Sequence, residues 1–247
     1  CITHEPKRPV LLHGVTGSGK TWLYIQLMAD ALERGQQVLY LLPEISLTKQ
    51  AIDRLRTAFG EGVGIFNSRF SEAERVEIWN HCLAGRYPVV LGARSALFLP
   101  LNKLGLIIVD EEHDGSFKQQ EPAPKYNARD AALWLGNHWG IPVVLGSATP
   151  SIKTYHNASE NKYALATLKS PAVAARPAEV VIVNMAQEIR ARTSHGEFSQ
   201  VLLEAINNAL KNKEQIIVFK NRRGYSPYLN CSNCGYVPIC VQCDISL

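Results

Sequence analysis

The chain has 247 residues, of which 46% are hydrophobic and 19% are charged, and its formal net charge is +4. This apolar content supports one large core or two smaller ones. No apolar run is long enough to cross a bilayer, which argues against an integral membrane protein, and the modest positive charge permits a polyanionic partner without requiring one.

A phosphate-binding loop is predicted close to the start of the chain. The pattern G-x-x-x-x-G-K-[ST] is matched by Gly14, Val15, Thr16, Gly17, Ser18, Gly19, Lys20 and Thr21. An apolar run precedes it and a helical pattern over 21–34 follows, which is the strand–loop–helix context that this motif requires. Lys20 is expected to reach the β- and γ-phosphates of a nucleotide, and the Thr21 hydroxyl to ligate Mg²⁺. The alternative is a glycine-rich turn that ends in Lys-Thr by chance.

Helical and strand patterns alternate from this loop onward, as they do in a parallel α/β sheet. Short apolar runs predict strands at 38–42, 63–66, 89–91, 106–109 and 143–145. Helices are predicted at 48–59, from a capping box at Ser71 to about residue 84, and from the N-cap Asn127 to Trp139. This order predicts one doubly wound α/β domain over residues 1–170.

A second unit is predicted after a connector rich in Ala and Pro at 170–177. Strand patterns at 180–183 and 216–219, with a helix at 200–211 between them, indicate the start of another α/β lobe. We therefore expect the connector and the beginning of this second lobe over 171–230, followed by a cysteine-rich segment over 231–247.

Two carboxylates follow the predicted strand at 106–109. Asp110 and Glu111 open the sequence DEEH, and acidic residues at the carboxyl end of a buried strand lie where ligands bind in open α/β sheets. Asp110 is expected to hold Mg²⁺, and Glu111 to orient and deprotonate the water that attacks the phosphate. Read alone, the run is equally compatible with a solvated acidic loop.

The strand at 143–145 is followed by a short polar sequence, GSAT. The hydroxyls of Ser147 and Thr149 are candidates for linking the nucleotide site to a moving part of the protein. A plain strand-to-helix turn is the alternative explanation of these small residues.

The segment 114–126 is too polar, and too interrupted by proline, to form a strand or a helix. Phe117 and Tyr126 offer faces for base stacking, and Lys118 and Lys125 offer phosphate contacts, which is the usual equipment for binding single-stranded DNA. The alternative is an ordinary surface loop whose two aromatic side chains are tucked inward.

Four of the six cysteines form two C-x-x-C pairs, Cys231 with Cys234 and Cys240 with Cys243. Each pair can give two thiolates to Zn²⁺, so the pattern indicates metal chemistry in a reducing compartment, and we expect a cytoplasmic protein. Taken alone, the four residues would form one Cys₄ site. However, the five residues between the pairs are fewer than the usual fifteen to twenty.

The motifs together resemble those of the superfamily 2 helicases: GVTGSGKT, LPEISLT at 42–48, DEEH and GSAT. Further segments resemble the replication-restart helicases of bacteria, namely GARSALF at 92–98, DGSFKQQEPAPKYNARD at 114–130, NRRGY at 221–225 and the cysteine cluster. The resemblance covers nearly the whole chain. It implies a RecA-like sheet and an ATP- and Mg²⁺-dependent 3′-to-5′ DNA helicase. It also implies forked and single-stranded DNA, single-strand-binding protein and primosome proteins as partners.

The resemblance also implies roles for individual residues. Thr48 and Arg94 resemble DNA-backbone contacts, although Arg94 is equally suited to a structural salt bridge. His113 has a plausible coupling role beside the γ-phosphate, against an equal case for capping its own loop. At Trp22 the family usually has Glu, and at Lys125 usually Arg.

The family's two zinc sites are interleaved, so each cysteine pair here expects a partner pair further along. We therefore expect the chain to end inside its zinc module, with incomplete zinc sites. The arginine fingers of the second lobe and an N-terminal DNA-binding domain are also expected to lie outside this sequence, which predicts no DNA-stimulated turnover by the chain alone. The competing functions are another superfamily 2 translocase, RecG-like or of the restriction type, and a nucleotide-binding switch without motor activity.

Overall fold

The structure is a computed structural model that describes residues 8–67, 70–121, 123–171, 179–219 and 236. The chain divides into two compact units, Cys1–Arg176 and Pro177–Leu247. Within the described ranges, no helix is both long and apolar enough to cross a membrane.

A seven-stranded sheet forms the centre of the first unit. Its strands are β1 Val10–Gly14, β2 Gln37–Leu41, β3 Val63–Phe66, β4 Val89–Gly92, β5 Leu104–Asp110, β6 Val143–Ser147 and β7 Ala164–Leu168. They lie in the order β3-β4-β2-β5-β6-β1-β7, and every neighbouring pair is parallel. Parallel neighbours need crossover connections, which carry the helices onto the faces of the sheet.

In the described part of the first unit, five α-helices cover the sheet and make every crossover except the one from β4 to β5, which is a short 3-10 turn at Arg94–Phe98. The helices are α1 Lys20–Glu33, α2 Lys49–Phe59, α3 Glu72–Leu83, α4 Ala128–Trp139 and α5 Ile152–Ser159. Their ends follow local chemistry: Ser71 and Glu74 form the predicted capping box at α3, and the Asn127 side chain caps α4. Gly140, with φ of 68°, ends α4 in a left-handed conformation that suits glycine.

The core lies in two layers, one on each face of the sheet. Leu39 and Leu41 of β2 pack in one buried cluster with Ala132 of α4, whereas Tyr40 packs in a second cluster with Met28 of α1. Successive residues of a strand point to opposite faces, so helices on both sides are needed to cover these apolar strands. The predicted doubly wound parallel sheet is confirmed.

Two elements of this unit, β7 and α5, are absent from the predicted set. β7 is the last strand of the sheet, alternates half-buried with exposed positions and leaves Leu165 exposed, so it lacks the apolar run of an interior strand. α5 has only eight residues, and its buried positions are Thr154 and Ala158 rather than large apolar side chains. Neither segment is both long enough and apolar enough to stand out in the hydrophobic pattern on which sequence prediction depends.

The second unit contains two helices in its described part, α6 Met185–Ala191 and α7 Gln200–Lys211. α7 matches its prediction, but the strands predicted at 180–183 and 216–219 are wrong, since neither described segment pairs with a strand. Ile182 and Ile217 are almost fully exposed. A strand needs ladder partners for its N–H and C=O groups, and the described part of the unit supplies none to these residues. The second α/β lobe stays a prediction.

Candidate nucleotide-binding site

A cleft of about 490 Å³ lies in the first unit, beside the loop that follows β1 and the end of β5. The residues that line it are Thr16, Gly17, Ser18, Gly19, Lys20, Thr21, Trp22, Ile25, Arg54, Asp110 and Glu111. The structure therefore brings the residues predicted for phosphate, magnesium and hydrolysis into one place, with Gly14 and Val15 outside the lining.

Two glycines with positive φ shape the loop between β1 and α1. Gly17 has φ of 74° and Gly19 has φ of 87°, a region that side chains disfavour. α1 begins directly after Gly19, and no side chain in the described ranges caps it, which leaves its first amides open to an anion. At its start the loop is tied to β7, because the Val15 N–H donates to the Leu168 carbonyl at 3.3 Å.

The interior of this loop is tightly packed. A Cβ at Gly14 would lie 2.5 Å from Ser18 Oγ, and Lys20 Nζ donates to the Gly14 carbonyl at 2.7 Å. Among the described residues, Ser18 Oγ is buried and has no hydrogen-bond partner. Buried hydroxyls normally have a partner, and a phosphate oxygen in the loop would supply one. The loop thus fits the nucleotide expected there.

Two tyrosine hydroxyls hold the carboxylate of Asp110. Tyr24 donates to Oδ1 at 2.9 Å and Tyr40 to Oδ2 at 3.1 Å, and all three side chains are buried. Burial raises the pKa of Asp110, although the two hydroxyls and the charge of Lys20 oppose that rise. The fixed carboxylate shares the cleft with Thr21, which suits Mg²⁺, an ion usually held by one or two protein ligands together with substrate phosphates.

Gly146 of β6 leaves the space that the Tyr24 hydroxyl occupies. A Cβ there would lie 1.6 Å from Tyr24 Oη and 2.9 Å from Asp110 Oδ1.

We expect Gly146→Ala to displace the Tyr24 hydroxyl, to destabilise the first unit by roughly 1–3 kcal/mol, and to weaken Mg²⁺–ATP binding. Chemical denaturation and calorimetric titration measure the two effects. Gly115→Ala is the matched control, because its Cβ would meet no atom within 4 Å. Unchanged stability and binding in Gly146→Ala would mean that Tyr24 does not position Asp110.

Glu111 has a backbone conformation that is uncommon for a residue with a side chain. Its φ is 49°, in the left-handed region, and its side chain lines the cleft next to Asp110. Burial and the neighbouring Asp110 carboxylate both raise the pKa of Glu111. A raised pKa makes a carboxylate a better proton acceptor near neutral pH, which is what a general base requires.

His113 joins the DEEH and GSAT segments. Its Nδ1 lies 2.8 Å from Ser147 Oγ and its Nε2 lies 3.4 Å from Thr149 Oγ1, and the Thr149 N–H donates to Ser147 Oγ at 2.9 Å. His113 Nδ1 is also 3.7 Å from the Glu111 carboxylate. The Ser147 and Thr149 hydroxyls, predicted to transmit motion, therefore contact His113, and His113 in turn lies near Glu111, which lines the cleft.

Glu112, between Glu111 and His113, is fully buried. Its carboxylate accepts hydrogen bonds from Arg129 of α4 at 2.9 Å and from the backbone N–H of Ser151 at 2.6 Å. The hydroxyl of Thr154 in α5 also donates to it, at 2.8 Å. One carboxylate thus fastens the end of β5 to two helices, which fixes the backbone that carries Asp110 and Glu111.

The segment after DEEH is folded back on itself. Lys118 and Asn127 form an antiparallel bridge, and the Gln119 N–H donates to the Tyr126 carbonyl at 2.8 Å. Arg94 donates to the carbonyl of Ser116 at 3.2 Å, so in this structure it braces the segment.

The stacking face predicted for Phe117 is wrong for this conformation, because the side chain is only 1% exposed and belongs to the core. Tyr126 is partly buried and meets Phe98 edge-to-face with ring centroids 5.1 Å apart. Burial raises the pKa of its hydroxyl. Burying an apolar aromatic ring is favourable even when the surrounding segment is polar. The sequence alone therefore does not show whether such a ring is buried in the core or exposed for stacking on a base.

The remaining predicted residues fall in different places. Thr48 caps α2, with Oγ1 accepting from the Ala51 N–H at 3.3 Å, and Lys118 is exposed. The four zinc-type residues, Cys231, Cys234, Cys240 and Cys243, lie outside the described residues. Within the described ranges, no group of three or more His, Cys, Asp or Glu side chains is arranged to hold a metal.

Sequence reasoning missed Tyr24, Tyr40, Gly146 and the anchoring role of Glu112. Two signals were available. Tyr24 stands four residues after Lys20, on the same helix face, and Tyr40 places a hydroxyl within the apolar run 38–42. A buried hydroxyl needs a hydrogen-bond partner, and β5, the strand adjacent to β2, ends in the carboxylate of Asp110.

The profile of the DEAD/DEAH box helicases matches residues 2–158, well over half of the chain. This chain belongs to the DEAD/DEAH box helicase family. The sheet and phosphate loop described above are accordingly those of a RecA-like helicase fold, as the sequence predicted.

Within this helicase family, the chain is similar to curated proteins named replication restart protein PriA. It is 42% identical to PriA of Chlamydia pneumoniae over 237 residues, which is 96% of this chain and 32% of that protein. It is also 42% identical to PriA of Bacillus subtilis strain 168 over 246 residues, 100% of this chain and 30% of that protein. The chain thus spans about a third of the length of these relatives.

Solved structures also resemble the chain. The helicase domain of Hef from Pyrococcus furiosus matches 68% of this chain and 37% of its own, with a TM-score of 0.47 and 20% identity.

Proposed function

We propose that the chain is the nucleotide-binding part of an ATP-dependent DNA helicase that acts in replication restart. The observation that carries this proposal is the meeting of Lys20, Thr21, Asp110 and Glu111 in one cleft at the end of a parallel sheet. The similarity to PriA along nearly the whole chain supports the choice of replication restart among helicase functions.

The roles of the cleft residues follow from their chemistry. The ammonium of Lys20 holds the β- and γ-phosphates after releasing the Gly14 carbonyl, and Thr21 and Asp110 are the ligands for Mg²⁺, which neutralises charge on the phosphates. Glu111 orients a water molecule and accepts its proton. The tyrosines keep Asp110 in place, so that little reorganisation is needed during the reaction.

The DNA side of the function is part of the same proposal. Lys118 and Tyr126 at the surface are candidates for contacting single-stranded DNA, with Thr48 and Arg94 as further backbone contacts. The contact of His113 with Ser147 and Thr149 is the proposed route by which the phosphate state reaches the rest of the protein. The proposed motion along DNA is 3′-to-5′ and the substrates are forked.

We propose Zn²⁺ binding by the cysteine pairs, single-strand-binding protein and primosome proteins as partners, and a cytoplasmic location. The domain division proposed is a first helicase lobe at 1–170, a connector and start of the second lobe at 171–230, and a zinc segment at 231–247.

Lys20→Ala tests the phosphate loop. We expect this variant of the full-length protein to lose ATP hydrolysis by at least two orders of magnitude, because the cation that stabilises charge in the transition state is removed. Phosphate release measures turnover. Lys118→Ala is the matched control, since that exposed lysine lies outside the cleft, and its basal turnover should stay close to that of the unaltered protein. Normal hydrolysis by Lys20→Ala would remove the nucleotide assignment.

Turnover with and without single-stranded DNA separates the motor from its competitors. Stimulation by DNA in the full-length protein is expected for a helicase, whereas a nucleotide-binding switch shows none. Unwinding of forked DNA then distinguishes a restart helicase from a translocase that moves without separating strands.

A further inference from the structure

One exposed aromatic side chain lies in the cleft but has no part in the proposed hydrolysis. Trp22 follows Thr21 directly, in the first turn of α1, and its side chain is 67% exposed. It lines the same cleft as the phosphate loop. A large indole surface left in water beside an anion site is well placed for a flat apolar ligand group to cover.

Two further side chains extend this wall of the cleft. Ile25 lies three residues after Trp22, so the two share one face of α1, and Arg54 reaches the cleft from α2. Trp22, Ile25 and Arg54 are the residues that line the cleft in addition to the phosphate loop and the carboxylates of Asp110 and Glu111. An indole face, an aliphatic side chain and a guanidinium all bind flat aromatic rings, by stacking, apolar contact and cation–π attraction.

The phosphate loop fixes where the other end of a nucleotide must go. With the phosphates held at Lys20 and Thr21, the sugar and base extend along the rest of the cleft. Its volume of about 490 Å³ is within the range of small-molecule sites. Unlike Asp110 and Glu111, which also line the cleft, Trp22, Ile25 and Arg54 carry no negative charge that would repel the phosphates.

We propose that Trp22, with Ile25 and Arg54, forms a nucleobase subsite that binds the base by stacking. Stacking depends on the overlap of ring faces rather than on a hydrogen-bond pattern, so this subsite favours the larger purines over pyrimidines. The inference rests on the proposed function, because the phosphate loop supplies the anchor that brings the base to Trp22.

Three probes separate the base from the phosphates: ATP, CTP and inorganic tripolyphosphate, each titrated with Mg²⁺ into the purified chain by calorimetry. The unaltered chain should bind ATP more tightly than CTP. Trp22→Ala should weaken ATP binding on the order of tenfold, abolish the preference over CTP, and leave tripolyphosphate binding unchanged. Trp22→Phe keeps a stacking face and should retain most of the affinity. Trp79→Ala is the matched control, because this exposed tryptophan of α3 lies outside the cleft.

The outcomes are distinct. Equal ATP affinity in Trp22→Ala and the unaltered chain, or equal loss of ATP and tripolyphosphate, would overturn the nucleobase subsite while leaving the phosphate loop in place. Failure of the unaltered chain to bind either ATP or tripolyphosphate would overturn the proposed nucleotide function, and the subsite with it.

Discussion

Glu111→Gln should bind Mg²⁺–ATP as the unaltered protein does and yet hydrolyse it 10²–10⁴-fold more slowly, the range typical for loss of a general base. The amide keeps the size and the left-handed backbone of Glu111 but does not accept a proton from water. Binding measured by titration and turnover measured by phosphate release, both on the full-length protein, separate the two effects.

Asp114→Asn is the control for this change. It makes the same carboxylate-to-amide replacement three residues further on, where the Asp114 side chain accepts a hydrogen bond from the Ser116 N–H and an amide oxygen can do the same. Its turnover should stay close to normal. Full activity in Glu111→Gln would show that another group activates the water.

The second large effect is on stability. Glu112→Ala should lower the free energy of unfolding of the first unit by about 3–5 kcal/mol, because it removes the fully buried partner of the Arg129 guanidinium and leaves it only the exposed carboxylate of Asp130. Arg129 is 11% exposed at its side chain, and Glu112 is 0% exposed. The variant also removes the acceptor of the Ser151 and Thr154 hydrogen bonds. Urea denaturation monitored by tryptophan fluorescence measures the loss.

Asp130→Ala provides the comparison, since it removes the other carboxylate that contacts Arg129. The Asp130 side chain is 42% exposed, so water replaces much of the lost interaction and a change below about 1 kcal/mol is expected. Similar losses in the two variants would mean that burial does not set the strength of this pair. The double replacement of Glu112 and Arg129 by alanine should cost less than the sum of the single replacements, because no charge is then left buried alone.

The parts of the fold that sequence predicts are those in which local chemistry and packing agree. The interior strands are mostly apolar because helices cover both faces of the sheet, and the caps at Ser71 and Asn127 have side chains that satisfy helix amides. β7 and α5 escape prediction because each has one side in water and little apolar surface. The segments 180–183 and 216–219 show the opposite error, because their apolar residues predict strands that do not form. An apolar run forms a strand only where a partner strand is available to pair with it.

The same distinction applies to the candidate site. The phosphate loop and the carboxylates are predictable because spacing along the chain sets their geometry. The contacts of Tyr24, Tyr40 and Gly146 with Asp110 depend on which strands lie next to one another in the sheet. That strand order is a property of the complete fold and cannot be read from any one segment of the sequence. Phe117 illustrates a further limit: its aromatic ring suits either a core or a stacked base, and in the structure it belongs to the same buried cluster as Ala128 and Ala132 of α4.

The attachment of β1 to β7 determines where a fragment that contains the nucleotide-binding site can end. The family match ends at residue 158, whereas β7 pairs with β1 from Val10 to Gly14 and its last residue, Leu168, holds the phosphate loop at Val15. A fragment trimmed at 158 would turn β1, a buried apolar strand, into an open edge that recruits strands from other molecules. We therefore expect a fragment that stops at the family boundary to aggregate, and a soluble minimal unit has to extend past Leu168.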